Sequence, residues 1–295
     1  MDTLLISLPE AVKRTMAYAD VFDYPLTAPE IQRYLIGYAA SLETINSFLQ
    51  EAPALYPQMD GFYTLPGRTG LVEVRKQRAQ NSLALRKHAW RYAKIMQQLP
   101  FIRMVALTGS LAVDNVTHGA DIDYLIVTQG GRLWLARALV LLLGRFSRLQ
   151  RVTLCPNYLI TLRALYFNDQ TFYTAHELAH MVPLVGLDTY TEIRRQNSWV
   201  TRFLPNAGGP PPGASECKPL SAALLRRAGE TILSTPPADW VERWEMQRKI
   251  QKLKRQQSAS QEVLFSADVC KGHDQRHQAR TQSAWRDRLR GLEKI

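Results

Sequence analysis

The sequence has few cysteines and lacks any apolar run long enough to cross a membrane. Its three cysteines are an odd number and lie far apart among 295 residues, which argues against a disulfide framework and for a reducing compartment. The most apolar run, residues 133–143, is interrupted by Arg137, whereas a membrane span needs about 20 uncharged residues. The first residues do not have the basic and apolar segments of a signal peptide. We therefore expect a cytoplasmic protein with no membrane partner.

Acidic residues are scarce relative to basic ones. Lys and Arg number 37 against 26 Asp and Glu, and the formal net charge at pH 7 is +11. Clustered cations bind polyanions because they release the counterions of phosphate groups, so nucleic acid is one candidate partner. A basic protein without a polyanionic partner is the alternative. Hydrophobic residues make up 46% of the chain, which is enough for a substantial core in two domains or in one domain with appendages.

Three helical patterns followed by two short aromatic-rich strands occupy residues 1–69. Thr27 and Glu30 have the spacing of a capping box and predict the start of the second helix. The two strands are predicted at 54–56 and 61–65. This order of elements resembles that of a winged-helix domain.

The third helix of a winged-helix domain can enter a groove of DNA, but the third helix predicted here, 42–50, contains no Lys or Arg. Phosphate contacts usually dominate affinity for DNA, so this helix is a poor recognition element. Contact with another protein, or a structural role, is the alternative. The basic residues instead lie around a long connecting helix predicted over 70–99, which could steer nucleic acid or nucleotide or could be an ordinary solvated face. They are Arg68, Arg75, Lys76, Arg78, Arg86, Lys87, Arg91 and Lys94.

The central stretch of the chain combines a glycine turn with two carboxylates. An apolar strand ends at Gly109-Ser110, and after a polar loop a second apolar strand begins with Asp121-x-Asp123. Side chains two apart on a strand share a face, so Asp121 and Asp123 can point to the same place. Gly109 allows the backbone to approach a ligand closely, and Ser110 offers a hydroxyl and an amide. Together these groups are typical of a site for metal and phosphate.

The two motifs, in this order and at this separation, resemble those of the nucleotidyltransferase superfamily typified by DNA polymerase beta and the minimal nucleotidyltransferases. The resemblance covers residues 101–167. It implies an α+β fold with a mixed sheet and flanking helices, in which Asp121 and Asp123 coordinate Mg²⁺ and Gly109 and Ser110 hold the triphosphate of an NTP. Phosphoryl transfer needs its developing negative charge neutralised, and Mg²⁺ ions held by adjacent carboxylates can do this.

One part of the family pattern is missing. Active members usually have a third carboxylate on a neighbouring strand, where it binds metal and can activate the incoming hydroxyl. The corresponding strand, predicted within 151–162, contains no Asp or Glu, and Asn157 is the expected occupant of that position. An amide carries no negative charge, so Asn157 would hold a metal weakly and would be a poor base. Asp169 or Glu177, from the following segment, is the alternative source of a carboxylate.

Two arginines follow the second strand of the central motif. Arg132 and Arg137 lie near the start of the predicted apolar helix. Their cations are candidates for phosphate contacts, and an outward-facing surface role is the alternative.

A rival motif, His176-Glu177-x-x-His180, matches the pattern of zinc peptidases. On a helix the two histidines would share a face, Glu177 could act as the base, and Glu192 could be a third ligand. The downstream Gly and His residues of the metzincins are missing. A helical packing face beside the central domain is the alternative. Pro183 is expected to end the helix of this motif, and the helical pattern then continues through residues 190–193 to Trp199 and Phe203.

The chain is therefore expected to contain five parts. They are a winged-helix-like domain (1–69), a connecting helix (70–99), a nucleotidyltransferase-like domain (100–204), a linker rich in Pro and Gly (205–219) and a helical C-terminal region (220–295). The predicted function is Mg²⁺-dependent transfer of a nucleoside monophosphate from an NTP to an unidentified acceptor. A catalytically degenerate protein that binds nucleotide or nucleic acid is the alternative, and a zinc metallopeptidase is a weaker one.

Overall fold

The computed structural model describes residues 6–211, 214, 223–256, 265–272 and 276–293. Within these ranges the chain is a mixed α+β protein with one sheet of three short strands and one of five strands. The predicted linker and the start of the helix after it fall partly outside the described residues. None of the helices in the described ranges has the length and apolar character that crossing a bilayer requires.

The N-terminal unit contains three helices and a small antiparallel sheet. Its elements are α1 (Leu8–Asp20), β1 (Leu26–Thr27), α2 (Ala28–Arg33), α3 (Leu42–Glu51), β2 (Gln58–Met59) and β3 (Phe62–Tyr63). The strand order is β1-β3-β2. At the start of α2, Glu30 N–H donates to Thr27 Oγ1 at 3.4 Å, and Thr27 N–H donates to Glu30 Oε2 at 2.8 Å. These two bonds form the predicted capping box.

The hairpin of this unit differs from the predicted strands. β2 and β3 enclose a two-residue turn, Asp60 and Gly61, in which both residues have positive φ angles of 52° and 82°. Asp-Gly favours such a turn because both of its positions take a left-handed backbone. The strand predicted at 54–56 is therefore wrong. That segment forms a turn that buries Tyr56, and the first hairpin strand lies next to Asp60.

A long helix, α4 (Leu71–Met96), follows the N-terminal unit, as predicted. Several of its cations pair with groups elsewhere in the chain. Arg75 Nη2 lies 2.8 Å from Glu30 Oε1, and Arg86 Nε lies 2.5 Å from Asp114 Oδ1. The basic residues of α4 thus join the N-terminal unit to the central region, which leaves fewer of them for a polyanionic partner.

The Arg75–Glu30 pair is enclosed and should contribute to stability. Arg75 is 8% exposed, its guanidinium lies 3.5 Å from the centroid of the Tyr24 ring, and Nη1 donates to Val113 O at 3.1 Å. Loss of one partner leaves the other charge buried and uncompensated, which costs about 3–5 kcal/mol. We expect Arg75→Ala to lower the free energy of unfolding by about 3 kcal/mol in a urea titration. Lys76→Ala is the control because its ion pairs are exposed, and equal losses in both variants would contradict this prediction.

The central sheet is mixed and has the strand order β7-β4-β5-β6-β8, with β5 parallel to β6 and every other pair antiparallel. The elements of this region are β4 (Ile102–Leu107), α5 (Gly109–Ala112), β5 (Ile122–Thr128), α6 (Leu133–Leu149), β6 (Leu154–Thr161), α7 (Phe172–His180), β7 (Val182–Val185), α8 (Leu187–Gln196), α9 (Ala223–Ile232), α10 (Pro236–Gln256), β8 (Val269–Lys271) and α11 (Arg276–Leu292). A short 3₁₀ helix (Ser198–Arg202) follows α8.

The two faces of this sheet bury different sets of side chains. On one face Ile122, Tyr124 and Ile126 of β5 pack with residues of α4 and α6. On the other face Leu125 and Val127 pack with α7, α8 and the N-terminal unit. Alternation along β5 therefore directs its odd-numbered residues toward α7.

Two strands of the sheet were not predicted. The helix of the His176 motif ends at His180, before Pro183 as expected, but the next residues form β7, which is buried along its whole length and lies at one edge of the sheet, where Pro183 is tolerated. The C-terminal region, expected to be helical, supplies β8 at the other edge. Both strands are of four residues or fewer, for which periodicity does not distinguish strand from helix.

The C-terminal helix α11 returns to the N-terminal unit. Trp285 Nε1 donates to Arg14 O at 3.0 Å, and Arg288 Nε lies 2.6 Å from Asp20 Oδ2. The Trp285 ring also stacks on Phe172 of α7, with centroids 4.6 Å apart. α11 therefore holds α1 against α7.

Candidate functional site

The turn after β4 lies against the Asp123 carboxylate. β4 and β5 are antiparallel with Leu107 opposite Tyr124, and Thr108 N–H donates to Asp123 O at 3.1 Å. This pairing places the next residue, Gly109, beside the Asp123 side chain. Gly109 has a φ of 64°, and a Cβ at this position would overlap Asp123 Oδ2. Both the left-handed backbone and the position of the carboxylate therefore require glycine here.

We expect Gly109→Ala to displace the Asp123 carboxylate. In the nucleotidyltransferase reaction that the family resemblance implies, it should slow turnover by about 10²-fold, because a misplacement of about 1 Å can cost that much. Gly61→Ala is the matched control. Gly61 also has a positive φ, 82°, but nothing lies within 4 Å of its Cβ position. It therefore reports backbone strain alone, and equal effects of the two variants on turnover would contradict the role assigned to Gly109.

The two aspartates differ in their surroundings. Asp121 is exposed just before β5, whereas Asp123 is half-buried on the face of β5 that packs toward α7. Burial raises the pKa of Asp123 to about 6, and the negative charge of Asp121 adds to this rise, while a hydrogen bond from Asn157 opposes it. A bound cation would stabilise the charged form of this carboxylate and so lower its pKa.

A bulge in β6 brings Asn157 to Asp123. Asp123 lies opposite Cys155, and the register between the two strands then shifts by one residue. Bulges of this kind redirect side chains and are frequent next to active sites. Asn157 Nδ2 donates to Asp123 Oδ1, and Cys155 Sγ lies 2.7 Å from Asn157 Oδ1. Asn157 therefore lies beside the aspartates, where it orients Asp123 and supplies no charge.

Glu177 of α7 lines the same cavity as Asp123. Burial raises the pKa of Glu177 to about 7 and the negative charge of Asp123 adds to the rise, while the positive charge of Lys271 and a hydrogen bond with Tyr173 oppose it. The other candidate, Asp169, instead accepts a hydrogen bond from the Thr174 hydroxyl at 3.1 Å. Tyr173 was not predicted as a site residue, although its position one helical turn before Glu177 points to it.

Arg132 and Arg137 do not lie beside the aspartates. Arg132 follows the far end of β5 and pairs with Asp239 at 2.5 Å, while Arg137 belongs to α6 on the opposite face of the sheet. These positions do not support the phosphate contacts expected of them. Arg148, at the end of α6, is better placed for a phosphate contact, because its charge acts on Cys155, which lies opposite Asp123. Burial raises the pKa of Cys155 to about 11, and the positive charge of Arg148 opposes that rise.

The two histidines of the zinc-peptidase pattern pack among aromatic rings. The centroid of the His176 ring lies 4.1 Å from that of Tyr18, and the centroid of the His180 ring lies 4.5 Å from that of Tyr34. His176 Nδ1 lies 3.1 Å from Phe172 O. Burial lowers the pKa of His176 to about 4 and that of His180 to about 3. These contacts favour the packing interpretation of the motif.

The available ligands fit Mg²⁺ better than zinc. Within the described residues, no group of three or more His, Cys, Asp or Glu side chains could hold a metal ion by itself. Glu192, the candidate third zinc ligand, pairs with Arg195 at 2.6 Å. Mg²⁺ usually takes one or two carboxylates and completes its shell with water and substrate phosphates. Asp121 and Asp123 supply oxygen ligands of this kind, so their chemistry fits a Mg²⁺ ion.

A cavity of about 370 Å³ opens beside these carboxylates. Gly109, Ser110 and Asp123 contribute to it from the central sheet and the turn, α7 contributes Glu177, and the N-terminal unit contributes most of the remaining wall. Its volume is that of a site for a small organic molecule. Its aromatic lining consists of Tyr18, Phe22, Tyr24, Tyr34 and Tyr173 with the rings of three histidines.

Comparison with known proteins gives no assignment. No family model, no curated protein and no solved structure matches this chain. The geometry of the site is therefore the basis for a functional assignment.

Proposed function

We propose that the protein is a Mg²⁺-dependent nucleotidyltransferase, which moves a nucleoside monophosphate from an NTP to a hydroxyl group of an acceptor. The observation that carries this proposal is the position of the Asp123 carboxylate, which lies against the Gly109 turn and lines a cavity that Glu177 also lines. The resemblance of the two central motifs to those of nucleotidyltransferases gives further support, and so does the mixed sheet around them.

The reaction joins the acceptor oxygen to the α-phosphorus of the NTP. The bond from that phosphorus to the bridging oxygen breaks, and pyrophosphate leaves with the bonding electrons. Mg²⁺, when held by Asp121 and Asp123, would neutralise phosphate charge that develops in this step. The Ser110 hydroxyl and the first N–H groups of α5, which have no partner within the helix, can donate to phosphate oxygens.

Glu177 is the group that we expect to take the proton of the acceptor hydroxyl. It faces the cavity, and its pKa of about 7 suits a general base at neutral pH. The Tyr173 hydroxyl, bonded to Glu177, limits the orientation of the carboxylate. In this mechanism a carboxylate from α7 replaces the one that is missing from β6.

A protein that binds nucleotide without turnover is the second candidate. The observation that favours it is the amide of Asn157, which occupies the β6 position and carries no charge. Nucleic acid is less favoured as its ligand, because many cations near α4 already pair within the chain.

The test is a transfer assay with purified protein and each of the four NTPs, labelled at the α-phosphate, together with Mg²⁺ and a mixture of small hydroxyl compounds. We expect release of pyrophosphate and appearance of labelled product, both lost when EDTA removes the metal. Calorimetric titration with each Mg·NTP gives a separate readout. Binding without turnover would favour the second candidate, and absence of both would count against a nucleotide site.

A further inference from the structure

We infer that the cavity beside Glu177 is the acceptor site, and that it takes a small molecule without negative charge which presents a flat apolar body to the tyrosine rings and a hydroxyl group to Glu177. The inference rests on the proposed function, which supplies the nucleotide. It narrows the acceptor to one chemical class and excludes a nucleic acid chain, whose backbone is anionic.

The charged side chains among the described lining residues are acidic. None of the described residues that line the cavity is Lys or Arg, while Asp123 and Glu177 supply carboxylates. Of its three histidines, His176 and His180 are neutral at pH 7, because burial lowers their pKa values to about 4 and about 3. Lys271 and Arg33 act electrostatically on Glu177 and on His180, but neither is among the described lining residues. The carboxylates that line the cavity therefore disfavour an anionic acceptor relative to a neutral or cationic one.

Aromatic rings line the walls of the cavity. Tyr18 and Tyr34 come from the N-terminal unit, and Tyr173 comes from α7. Aromatic rings favour flat apolar partners and cations. The volume, about 370 Å³, is suited to a molecule of one or two rings and is too small for a polymer.

The carboxylates differ in their position relative to the cavity. Asp121 is exposed just before β5 and is not among the described lining residues, whereas Asp123 and Glu177 both line the cavity. We therefore expect the charged triphosphate on the open side, near Asp121 and the Gly109 turn. The acceptor hydroxyl is favoured inside, where Glu177 can remove its proton.

The N-terminal unit closes this cavity. The Tyr24 hydroxyl donates to Val113 O at 2.6 Å, which fixes the unit against the segment that follows α5. The N-terminal unit therefore forms the wall that selects the acceptor, and this role does not require it to bind DNA.

Three related probes test the charge preference without nucleotide or metal. Tyramine, tyrosol and 4-hydroxyphenylacetate share a phenol ring but are cationic, neutral and anionic. We expect saturation-transfer NMR to give binding of tyramine and tyrosol at millimolar concentration, and at least tenfold weaker binding of the anion. Equal or tighter binding of the anion, or no binding of any probe, would overturn the inference. So would displacement of tyrosol by a single-stranded oligonucleotide, or by saturating Mg·ATP, which would assign the cavity to the base of the nucleotide.

Two variants that fill the cavity test the location. Ala19 of α1 and Val113, which follows α5, both line it, and we expect Ala19→Phe and Val113→Phe each to abolish tyrosol binding. Ala84→Phe, on the exposed surface of α4, is the matched control. Thermal unfolding identifies any variant that fails to fold, and retained binding in a folded variant would overturn the location. Because these measurements omit nucleotide, failure of Mg·NTP to bind would count against the proposed function alone.

Discussion

Asp123→Asn is expected to lower the Mg²⁺-dependent release of pyrophosphate by about 10³-fold or more. A metal held at a transferring phosphoryl group is worth several kcal/mol in the transition state, and each 1.36 kcal/mol is about tenfold in rate. The replacement amide keeps the size of the carboxylate and an oxygen that can accept the hydrogen bond of Asn157. The change therefore removes charge while retaining the local packing. Steady-state assays of pyrophosphate release measure it.

The control for this change is Asp287→Asn, because Asp287 lies on α11 and its side chain is 67% exposed. That variant should leave turnover unchanged. A second readout is the pKa of Glu177, which should fall in the Asp123 variant because the negative charge of Asp123 contributes to its rise. Turnover that survives in the Asp123 variant would contradict a metal-binding role for this side chain.

The local parts of the site were predictable from the sequence, and its assembly was not. The turn at Gly109 and the pair Asp121 and Asp123 are close in sequence, so strand alternation and turn chemistry are enough to bring them together. The cavity is different. Tyr18 and Glu177 meet only because α1 and α7 pack on the same face of the sheet, and this depends on contacts between distant segments.

The position of Arg132, which pairs with Asp239 and does not lie beside Asp123, also depends on the arrangement of distant segments. Proximity in sequence to Asp123 suggested a phosphate contact, but β5 carries the chain to the far end of the sheet before Arg132. α6 then runs back, so Arg148 returns to the end where Asp123 lies. To predict which arginine lies near Asp123, one needs the directions of β5 and α6 in the fold. Periodicity predicts only which residues each element contains.

The same packing changes the interpretation of the N-terminal unit. Its third helix contains no Lys or Arg, and basic residues next to the unit are engaged in ion pairs, as Arg68 is with Asp20 at 2.9 Å. Its tyrosines line the cavity beside Asp123 instead. The overall excess of cations is absent from the described lining of the cavity, so the net charge of the chain does not predict the charge of this site.

Glu177→Gln is expected to lower transfer by about 10²–10⁴-fold, the contribution typical of a general base. The amide cannot take the acceptor proton, but its oxygen can still accept a hydrogen bond from Tyr173, so packing on α7 should be retained. The binding of Mg·NTP should survive, because the proposed triphosphate site lies near Asp121 and the Gly109 turn and does not include Glu177. Single-turnover assays separate these two effects. Glu192→Gln is the control, since Glu192 is paired with Arg195 on the surface of α8.

The same variant should gain stability at high pH in the metal-free protein. Burial raises the pKa of Glu177 from 4.5 to about 7, so the folded state holds this proton more tightly than the unfolded chain does. The resulting stabilisation is complete below about pH 4.5 and is lost as the pH rises through 7. Glutamine has no such loss, so the advantage of the variant in unfolding free energy should grow between about pH 5 and about pH 8. The upper limit is about 3 kcal/mol, at about 1.4 kcal/mol for each pKa unit.

Protonation of the buried His176 and His180 lowers stability as the pH falls, whereas protonation of Glu177 raises it. Both histidines are present in the variant and in the unchanged protein, so their contribution cancels when the two unfolding free energies are subtracted. Their pKa values are lowered, so they contribute stability at neutral pH that is lost as the pH falls below about 6.5. Urea titrations of the variant and of the unchanged protein at both pH values give the comparison. A difference that does not vary with pH would show that Glu177 is not buried as a carboxylate. Turnover that persists would remove it as the base, and the proton would then have to pass to another group in the cavity.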